Sequence, residues 1–578
     1  MRCIYFQETE SKVNGGPYDE IVPFWKGGGH NLHADAAPTD VYESSYETIY
    51  NRLIKWIVEE PRSKNWEYRG VNLLWCYKYQ LFIHAHYAFL LHRAFDASMR
   101  DRDPSKTTVV VDDFLLGSGE PKLHEILAFS RHRDRFKTEA RPVAPIVDAV
   151  KKKLLKDCLW PQSLRFGQVK KARVALYADL FKFENLIREI GAKNICAYST
   201  VRAPKVFGGA LRLGSAFYQT AEPANQPIHQ NLPAYLRNLQ SLKPPAGFEL
   251  EGLDLGNFCV SRLKRAVSQE LNSVLAYIDA AHHFFESAGS LRSALLDEDI
   301  SMKKNIFCQT AAQYKVTTYI KAHGALGGKI GFLPLTAHKI FVWGRQSQKK
   351  LQAWGGDPSR AVVSGCSWYE KYLRMDAGET RKKVLSDLGL DASMPVIIFA
   401  VHSRSVLCFN YENVIRQTVD WALGAILKKE NCQFVIKLHH GEPDPGFYER
   451  WAASSGIGKR VVITKTYNPY LLALAADAVI SHHSTYAVDA FVLGKPVICL
   501  RDTFVGSCIE EYKKYGIFRE VYSEPELSRE LNTLLEKKMK EAQAANRAEA
   551  LNECLNISPG TPSAVKIMAS YLLEGTPV

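Results

Sequence analysis

The sequence lacks the features that would place it in a membrane or in the secretory pathway. No stretch of eighteen uninterrupted apolar residues occurs, and the most apolar segment, residues 71–95, is broken by Lys78, His84 and His86. We read that segment as a buried strand followed by a helix. The N-terminus, MRCIYFQETESKVNGG, has no charged-then-apolar signal pattern. We therefore expect a cytoplasmic protein that contacts a membrane, if at all, only peripherally at its inner face.

Cysteine spacing also lacks any regular pattern. The chain has 12 cysteines but no CxxC pair. Several of them, including Cys196, Cys308 and Cys499, lie in apolar segments, where a thiol behaves as a small hydrophobic side chain. This usage is typical of a protein in a reducing cytosol.

Basic residues are in excess, but no nucleic-acid-binding module accompanies them. The formal net charge is +13, and basic runs occur at residues 130–141 and 150–173. Solvated helix faces are the simplest interpretation of such runs, and the aromatic residues are not interleaved with them. If the charge has a function, we expect peripheral contact with anionic membrane lipid or an acidic glycan, and no nucleic-acid partner.

Apolar strand-like runs alternate with helical stretches in two series, which predicts an α/β fold with two Rossmann-like domains in tandem. The first series comprises residues 70–76, 107–116, 172–178, 194–199 and 317–324. The second series comprises residues 361–365, 395–403, 432–440, 460–465, 477–483 and 495–502.

The length of 578 residues exceeds what one hydrophobic core supports. Gly355, Gly356 and Pro358 place an interdomain linker near residues 345–360. The predicted organisation has an irregular N-terminal extension or cap, an N-terminal Rossmann-like domain with a polar, proline-rich insert, a C-terminal Rossmann-like domain, and a crossover helix. Their bounds are residues 1–65, 66–345 with the insert near 219–250, 346–560, and 561–578.

The second series contains the strongest functional signal, because two of its strands end in polar clusters. One cluster is KLHHGEPD at residues 437–444, and the other is SHHST at residues 481–485. A helix that begins at Ser484 or Thr485 directs free backbone N–H groups and its positive dipole end toward an anion. We therefore predict a nucleotide phosphate site at this edge.

Each polar residue near these strand ends has a predicted contact. Ser484 and Thr485 hold the phosphate with Ser481 and His483 beside them, and Asp489, one turn into the helix, accepts hydrogen bonds from ribose hydroxyls. Further phosphate, ribose or carboxylate contacts are expected from the ends of two other strands. The residues are Lys437, His439, His440, His402, Ser403 and Arg404.

A zinc site is the competing interpretation of His439, His440, His482 and His483. Adjacent residues on a strand point to opposite faces, so at most one histidine of each pair can reach a shared ion. We therefore expect no metal here.

The candidate catalytic groups lie in the N-terminal part. His323 ends a predicted strand and enters a glycine-rich turn, where its imidazole can act as a general base or bond only to local backbone. Asp112 and Asp113 end the run TTVVVDD and are alternative candidates for the base, for metal ligands or for a helix cap.

The succession HG, VWG, VVSG, VIKLHHGEPD and ADAVISHHSTYAVDAFVLGKPVI resembles the GT-B enzymes that build bacterial surface polymers, over roughly residues 300–505. Closest in pattern are capsule polysaccharide enzymes that use CMP-activated ulosonic acids (Kdo or sialic acid) and CDP-glycerol glycerophosphotransferases. The resemblance implies two Rossmann-like domains facing each other across a cleft. It also implies that His323 activates the acceptor, His439 contacts phosphate, and Ser484 and Thr485 hold the nucleotide phosphates.

The resemblance therefore implies a metal-independent, inverting glycosyltransferase of capsule or other surface polysaccharide biosynthesis, without a cofactor. Its expected partners are a CMP-linked or other nucleotide-sugar donor and a glycan or lipid-linked acceptor. The sequence departs from the family pattern at His440, Gly441 and His483, which leaves the nucleotide base and the sugar open. The alternatives are a nucleotide-sugar 2-epimerase, a CDP-polyol phosphotransferase, and a non-catalytic GT-B module that binds glycan.

Overall fold

The computed structural model describes most of the chain, in sixteen segments. These are residues 2–7, 19–23, 39–59, 66–113, 121–142, 171–178, 183–198, 217–218, 228–322, 324–401, 409–439, 442, 445–458, 460–500, 509–535 and 544–574. Within these segments, no helix is both long and apolar enough to cross a bilayer.

The first large sheet has seven parallel strands. In spatial order they are Ala361–Val363, Lys339–Val342, Thr317–Lys321, Ser293–Leu296, Val174–Tyr177, Ile195–Tyr198 and Phe217–Tyr218. Counted along the chain this is the order 7-6-5-4-1-2-3. The direction of winding reverses between Val174–Tyr177 and Ser293–Leu296, so this sheet has one topological switch point.

The second large sheet has six parallel strands. In spatial order they are Val461–Thr464, Gln433–Lys437, Val396–Ala400, Ala478–His482, Val497–Leu500 and Arg519–Val521. Their chain order is 3-2-1-4-5-6, with the switch point between Val396–Ala400 and Ala478–His482. The predicted α/β class with two Rossmann-like units is confirmed.

The central strands are buried and mostly apolar because helices cover both faces of each sheet. All four residues of Val174–Tyr177 and all five of Val396–Ala400 are buried. Burying each Val, Ile or Phe side chain contributes about 1.5–3 kcal/mol, so these short runs are strong determinants of the fold.

The helices have the following bounds. They are Thr39–Glu59, Leu73–Cys76, Lys78–Met99, Leu123–Leu127, Glu184–Ile190, Leu232–Gln240, Leu255–Ser287, Met302–Gln313, Arg345–Ala353, Tyr369–Leu373, Ala377–Leu388, Phe409–Leu427, Pro445–Ser454, Pro469–Ala475, Thr485–Val492, Glu524–Leu535, Ala544–Leu555 and Ala564–Glu574. The last helix packs on the first sheet, where the Ser293 hydroxyl donates to the Leu572 carbonyl at 2.6 Å.

A third parallel sheet, which the sequence analysis did not foresee, lies in the N-terminal part. Its strands are Glu20–Pro23, Arg2–Gln7, Thr107–Asp113 and Lys137–Pro142. The predicted strand at residues 107–116 therefore exists, but it belongs to this sheet and not to the first Rossmann series. Helices Thr39–Glu59, Lys78–Met99 and Leu255–Ser287 share a second apolar core beside it.

Two further strand predictions need correction, and some strands were not predicted. Residues 70–76 form only the short strand Val71–Asn72 before the helix Leu73–Cys76, since apolar residues at nearly every position do not distinguish a buried strand from a buried helix. Ala361–Val363 pairs with Lys339–Val342, so it ends the first sheet and does not begin the second. Four strands of the two large sheets were missed: Phe217–Tyr218, Ser293–Leu296, Lys339–Val342 and Arg519–Val521. The apolar residues of the central strand Ser293–Leu296 are Ala and Leu, which favour a helix over a strand.

Substituting Gly344 tests how the C-terminal region packs against the first sheet. A Cβ at Gly344 would overlap the backbone of Cys554, in the helix Ala544–Leu555. We expect Gly344→Ala to destabilise the protein by about 1–3 kcal/mol, because backbone atoms must move apart. Thermal unfolding measures the effect. Gly458→Ala is the control, since a Cβ there meets nothing within 4 Å; equal melting temperatures for the two variants would contradict this packing.

Candidate functional site

The switch point of the second sheet brings together the ends of two neighbouring strands. Ala400 pairs with Ser481, so the segment after Ala400 and the SHHST cluster leave the same edge side by side. In open α/β sheets, ligands bind outside the carboxyl ends of the strands at such a switch point. This edge is the candidate site on topological grounds alone.

The serine and threonine hydroxyls of this edge lie at the start of the helix Thr485–Val492. Ser481 is fully buried, and its hydroxyl lies 2.9 Å from the hydroxyl of Ser484. Ser484 occupies the N-cap position, yet its side chain makes no capping hydrogen bond to the helix. The Ala487 N–H donates to the Ser484 carbonyl at 3.1 Å, so the N–H groups of Thr485 and Tyr486 are the ones that an anion at the edge could accept from.

The first sheet meets this helix start through Gly324. Gly324 follows the strand Thr317–Lys321, and a Cβ at this position would lie 2.8 Å from the Thr485 hydroxyl oxygen. The two sheets therefore approach each other where one strand end of the first faces the helix start of the second. His323 lies outside the described residues, so its catalytic role stays a prediction.

The paired histidines are anchored away from each other. His482 is fully buried, and its Nε2 lies 2.7 Å from the Thr418 hydroxyl. His483 is buried with its Nε2 3.6 Å from a carboxylate oxygen of Glu520. Among the described residues, the histidines of this edge form no group with metal-binding spacing.

Lys437 is the last residue of its strand, and its side chain hydrogen-bonds to backbone carbonyls. Its ammonium donates to the carbonyls of Leu438 and Lys465, at 2.8 and 3.0 Å, and burial lowers its pKa. His439 is half-buried, and its carbonyl accepts the Glu442 N–H at 3.0 Å. The ligand contacts of these two residues remain predictions. The other strand-end candidates lie outside the described residues: His440, His402, Ser403 and Arg404.

Asp489 lies one turn into the helix Thr485–Val492 and is buried. The Tyr369 hydroxyl donates to its carboxylate at 2.6 Å, and Tyr369 belongs to the helix Tyr369–Leu373 that follows the last strand of the first sheet. Burial raises the pKa of Asp489 to about 7, against the opposing effect of the Tyr369 hydrogen bond. The hydrogen bond from Tyr369 thus joins the Asp489 carboxyl to the segment that follows the first sheet. The predicted ribose contact of Asp489 stays a prediction.

Asp112 and Asp113 end the strand Thr107–Asp113 of the third sheet, opposite Arg141 and Pro142. Their side chains are outside the described part of the structure. Because they leave a different sheet from Gly324, nothing in the described contacts joins them to the edge at Ser484. Their roles stay predictions.

The sequence analysis missed the acidic residues at the switch point of the first sheet. Leu296 pairs with Tyr177, and Asp297, Glu298 and Asp299 follow directly. The Lys304 ammonium lies 2.9 Å from Glu298. Burial acts to raise the pKa of Glu298, but Lys304 and the Ser301 hydrogen bonds outweigh it and lower the pKa. The run DED after a short apolar segment was the available signal.

The sequence matches no protein-family model and no curated protein. Among solved structures it is similar to the UDP-GlcNAc 2-epimerase of Neisseria meningitidis bound to UDP-GlcNAc, with 14% identity and a TM-score of 0.46 over 70% of this chain and 100% of that chain. A glycosyltransferase from Rickettsia africae has 11% identity and a TM-score of 0.43, over 70% of this chain and 100% of that chain. HepE of Anabaena in complex with UDP and glucose has 11% identity and a TM-score of 0.43, over 66% of this chain and 95% of that chain. These likenesses assign no activity to this chain.

The raised pKa of Asp489 makes stability depend on pH. Between its ordinary pKa of 3.8 and about 7, the folded state holds a proton that the unfolded state has released, so stability falls as pH rises through this window. We expect the melting temperature to drop between roughly pH 5 and pH 8 in the wild type, and to drop less in Asp489→Asn.

The exposed Asp391 provides the control for this pH experiment. Its pKa is lowered, chiefly by the backbone hydrogen bond from Ser393, so it is ionised in the folded and unfolded states throughout the window. Asp391→Asn should therefore keep the wild-type pH dependence. An Asp489→Asn variant with the wild-type pH dependence would show that Asp489 is not protonated in the folded state.

Proposed function

We propose that this protein is a metal-independent glycosyltransferase that binds a nucleotide-sugar at the edge formed by Ser481, Ser484 and Thr485. The observation that carries the proposal is the close approach of Gly324 to the Thr485 hydroxyl. A Cβ at residue 324 would lie only 2.8 Å from the hydroxyl oxygen of Thr485. It brings the turn after His323 next to a helix start that suits a phosphate. A donor phosphate and an acceptor activated from the first sheet would then meet at one place.

Three features of the edge support a phosphate ligand. The helix Thr485–Val492 has its positive dipole end at this edge, and the Ser484 side chain makes no capping hydrogen bond there, which favours an anion. The hydroxyls of Ser484 and Thr485 add donors that need no divalent metal. The switch-point position of the cluster is where nucleotides bind in doubly wound sheets.

The proposed reaction is a direct displacement. The imidazole of His323 takes the proton from an acceptor hydroxyl while that oxygen forms a bond to the anomeric carbon of the donor. The bond from this carbon to the phosphate oxygen breaks, and its electron pair leaves with the nucleotide. Helix dipole and hydroxyls stabilise the developing phosphate charge, and attack opposite the leaving group inverts the anomeric configuration.

The donor class rests on the sequence resemblance. We propose a CMP-activated ulosonic acid such as sialic acid or Kdo, transferred to a glycan or lipid-linked acceptor. A nucleotide-sugar 2-epimerase is the alternative that a simple assay separates. Incubation with UDP-N-acetylglucosamine and no acceptor yields a new sugar if the protein is an epimerase, and at most slow hydrolysis if it is a transferase.

Thermal shifts with CMP, CDP, UDP and GDP test the nucleotide site. A ligand that binds only the folded state raises the melting temperature, and we expect the cytidine nucleotides to raise it most. Ser484→Ala combined with Thr485→Ala should weaken binding at least about tenfold, because charge-assisted hydrogen bonds are lost.

The pair Ser241→Ala with Thr533→Ala is a control away from this edge, since Ser241 is exposed and Thr533 is half-buried in the helix Glu524–Leu535, and it should bind like the wild type. If none of the four nucleotides raises the melting temperature at millimolar concentration, the nucleotide site is refuted. That outcome would favour a non-catalytic module.

Replacing His323 by Ala tests the proposed base. We expect turnover to fall at least about a hundredfold with donor affinity largely intact, because the side chain acts on the acceptor proton and not on the nucleotide. Steady-state kinetics with a separate measurement of donor binding distinguishes the two effects. Unchanged turnover removes His323 from the mechanism.

A further inference from the structure

A cavity of about 420 Å³ lies in the N-terminal part, away from the edges of the two large sheets. It forms between the end of the helix Lys78–Met99 and the turn that follows Leu123–Leu127. Its volume is within the range of small-molecule sites, roughly 300–1,000 Å³. None of the residues assigned above to donor or acceptor chemistry is among those described as lining it.

The lining is rich in arginine. Five of the residues that line the cavity are arginines, Arg93, Arg100, Arg102, Arg131 and Arg135, whereas its acidic lining residues are Asp96 and Glu251. Glu251 pairs with Arg93, and Asp96 pairs with Arg131. Neither Arg100 nor Arg135 has an ion pair with a carboxylate among the described residues, and both are exposed.

Asp96, which lines the cavity, contacts two buried histidines. It bonds to the buried His132, and the fully buried His92 lies on the same helix with Nε2 3.9 Å from Asp96. His92, Asp96 and His132 bring their ligand atoms within 4.8 Å of one another, which is spacing that a metal ion can use.

Charge decides between a cation and an anion. With five arginines and two acidic residues in the lining, a divalent cation would meet net repulsion. An anion would instead be attracted, and the planar fork of arginine forms two parallel hydrogen bonds to a phosphate. The lining has three more arginines than acidic residues, and this positive charge exceeds the negative charge of one phosphate monoester.

We propose that this cavity binds a diphosphate or a compact molecule with two phosphate groups, held by Arg100 and Arg135. The site is separate from the proposed donor site and does not depend on that function. A soluble phosphorylated molecule and a lipid headgroup both present this chemistry.

Calorimetric titration of the full chain with inorganic pyrophosphate at about 0.15 M salt tests the site, because screening there suppresses diffuse attraction. We expect saturable binding that persists in the Ser484→Ala, Thr485→Ala variant, which separates it from any binding at the donor site. Arg100→Gln combined with Arg135→Gln should weaken binding at least about tenfold. Both side chains are exposed, and an unchanged melting temperature without ligand establishes that the variant is folded.

Arg133→Gln is the matched control, since Arg133 belongs to the same turn but does not line the cavity. It should bind pyrophosphate like the wild type. Three results would overturn the proposal: no binding to the wild type, equal weakening by Arg133→Gln, or unchanged binding in the double variant. Zinc binding that His92→Ala abolishes, without pyrophosphate binding, would instead identify a cation site.

Vesicles of phosphatidylcholine with and without phosphatidic acid separate the two sources of ligand. Co-sedimentation that requires phosphatidic acid and is lost in Arg100→Gln, Arg135→Gln supports a lipid headgroup. Pyrophosphate binding without such co-sedimentation supports a soluble ligand.

Discussion

The approach of Gly324 to Thr485 is the contact on which the proposed chemistry depends. It exists because a side chain is absent at residue 324, which lets the backbone after one sheet come within contact distance of a hydroxyl at the helix start of the other. Any larger residue there would have to displace the Thr485 hydroxyl. The same contact fixes where a donor phosphate and an acceptor would meet.

Contacts between the domains hold this arrangement in place. Tyr369, just beyond the first sheet, donates to Asp489 of the helix Thr485–Val492, and the helix Ala564–Glu574 returns from the C-terminal region to pack on the first sheet. The buried Asp489 is protonated over part of the neutral range, because desolvation raises its pKa to about 7. A neutral carboxyl is less costly to bury than a charged one, and Asp489 is buried.

The second sheet was largely predictable from sequence, whereas the N-terminal part was not. The strand Val396–Ala400 is apolar at all five positions, and Ala478–His482 begins with three apolar residues and ends in Ser481 and His482, so both stand out from the polar segments that follow them. The apolar residues of Ser293–Leu296 are Ala and Leu, which favour a helix over a strand, so this strand has no clear signal after a helix of 33 residues. The third sheet joins Arg2–Gln7 to Thr107–Asp113, and such distant pairing leaves no local signal. The arginine cavity likewise combines two segments that are separate in the sequence.

A structure determined with CMP bound would test the central claim most directly. The account predicts that the nucleotide phosphate lies within hydrogen-bond distance of the Ser484 and Thr485 hydroxyls and of the first N–H groups of the helix Thr485–Val492, beside Gly324. A nucleotide bound elsewhere, with Ser484 and Thr485 enclosed by protein and out of reach of its phosphate, would contradict it.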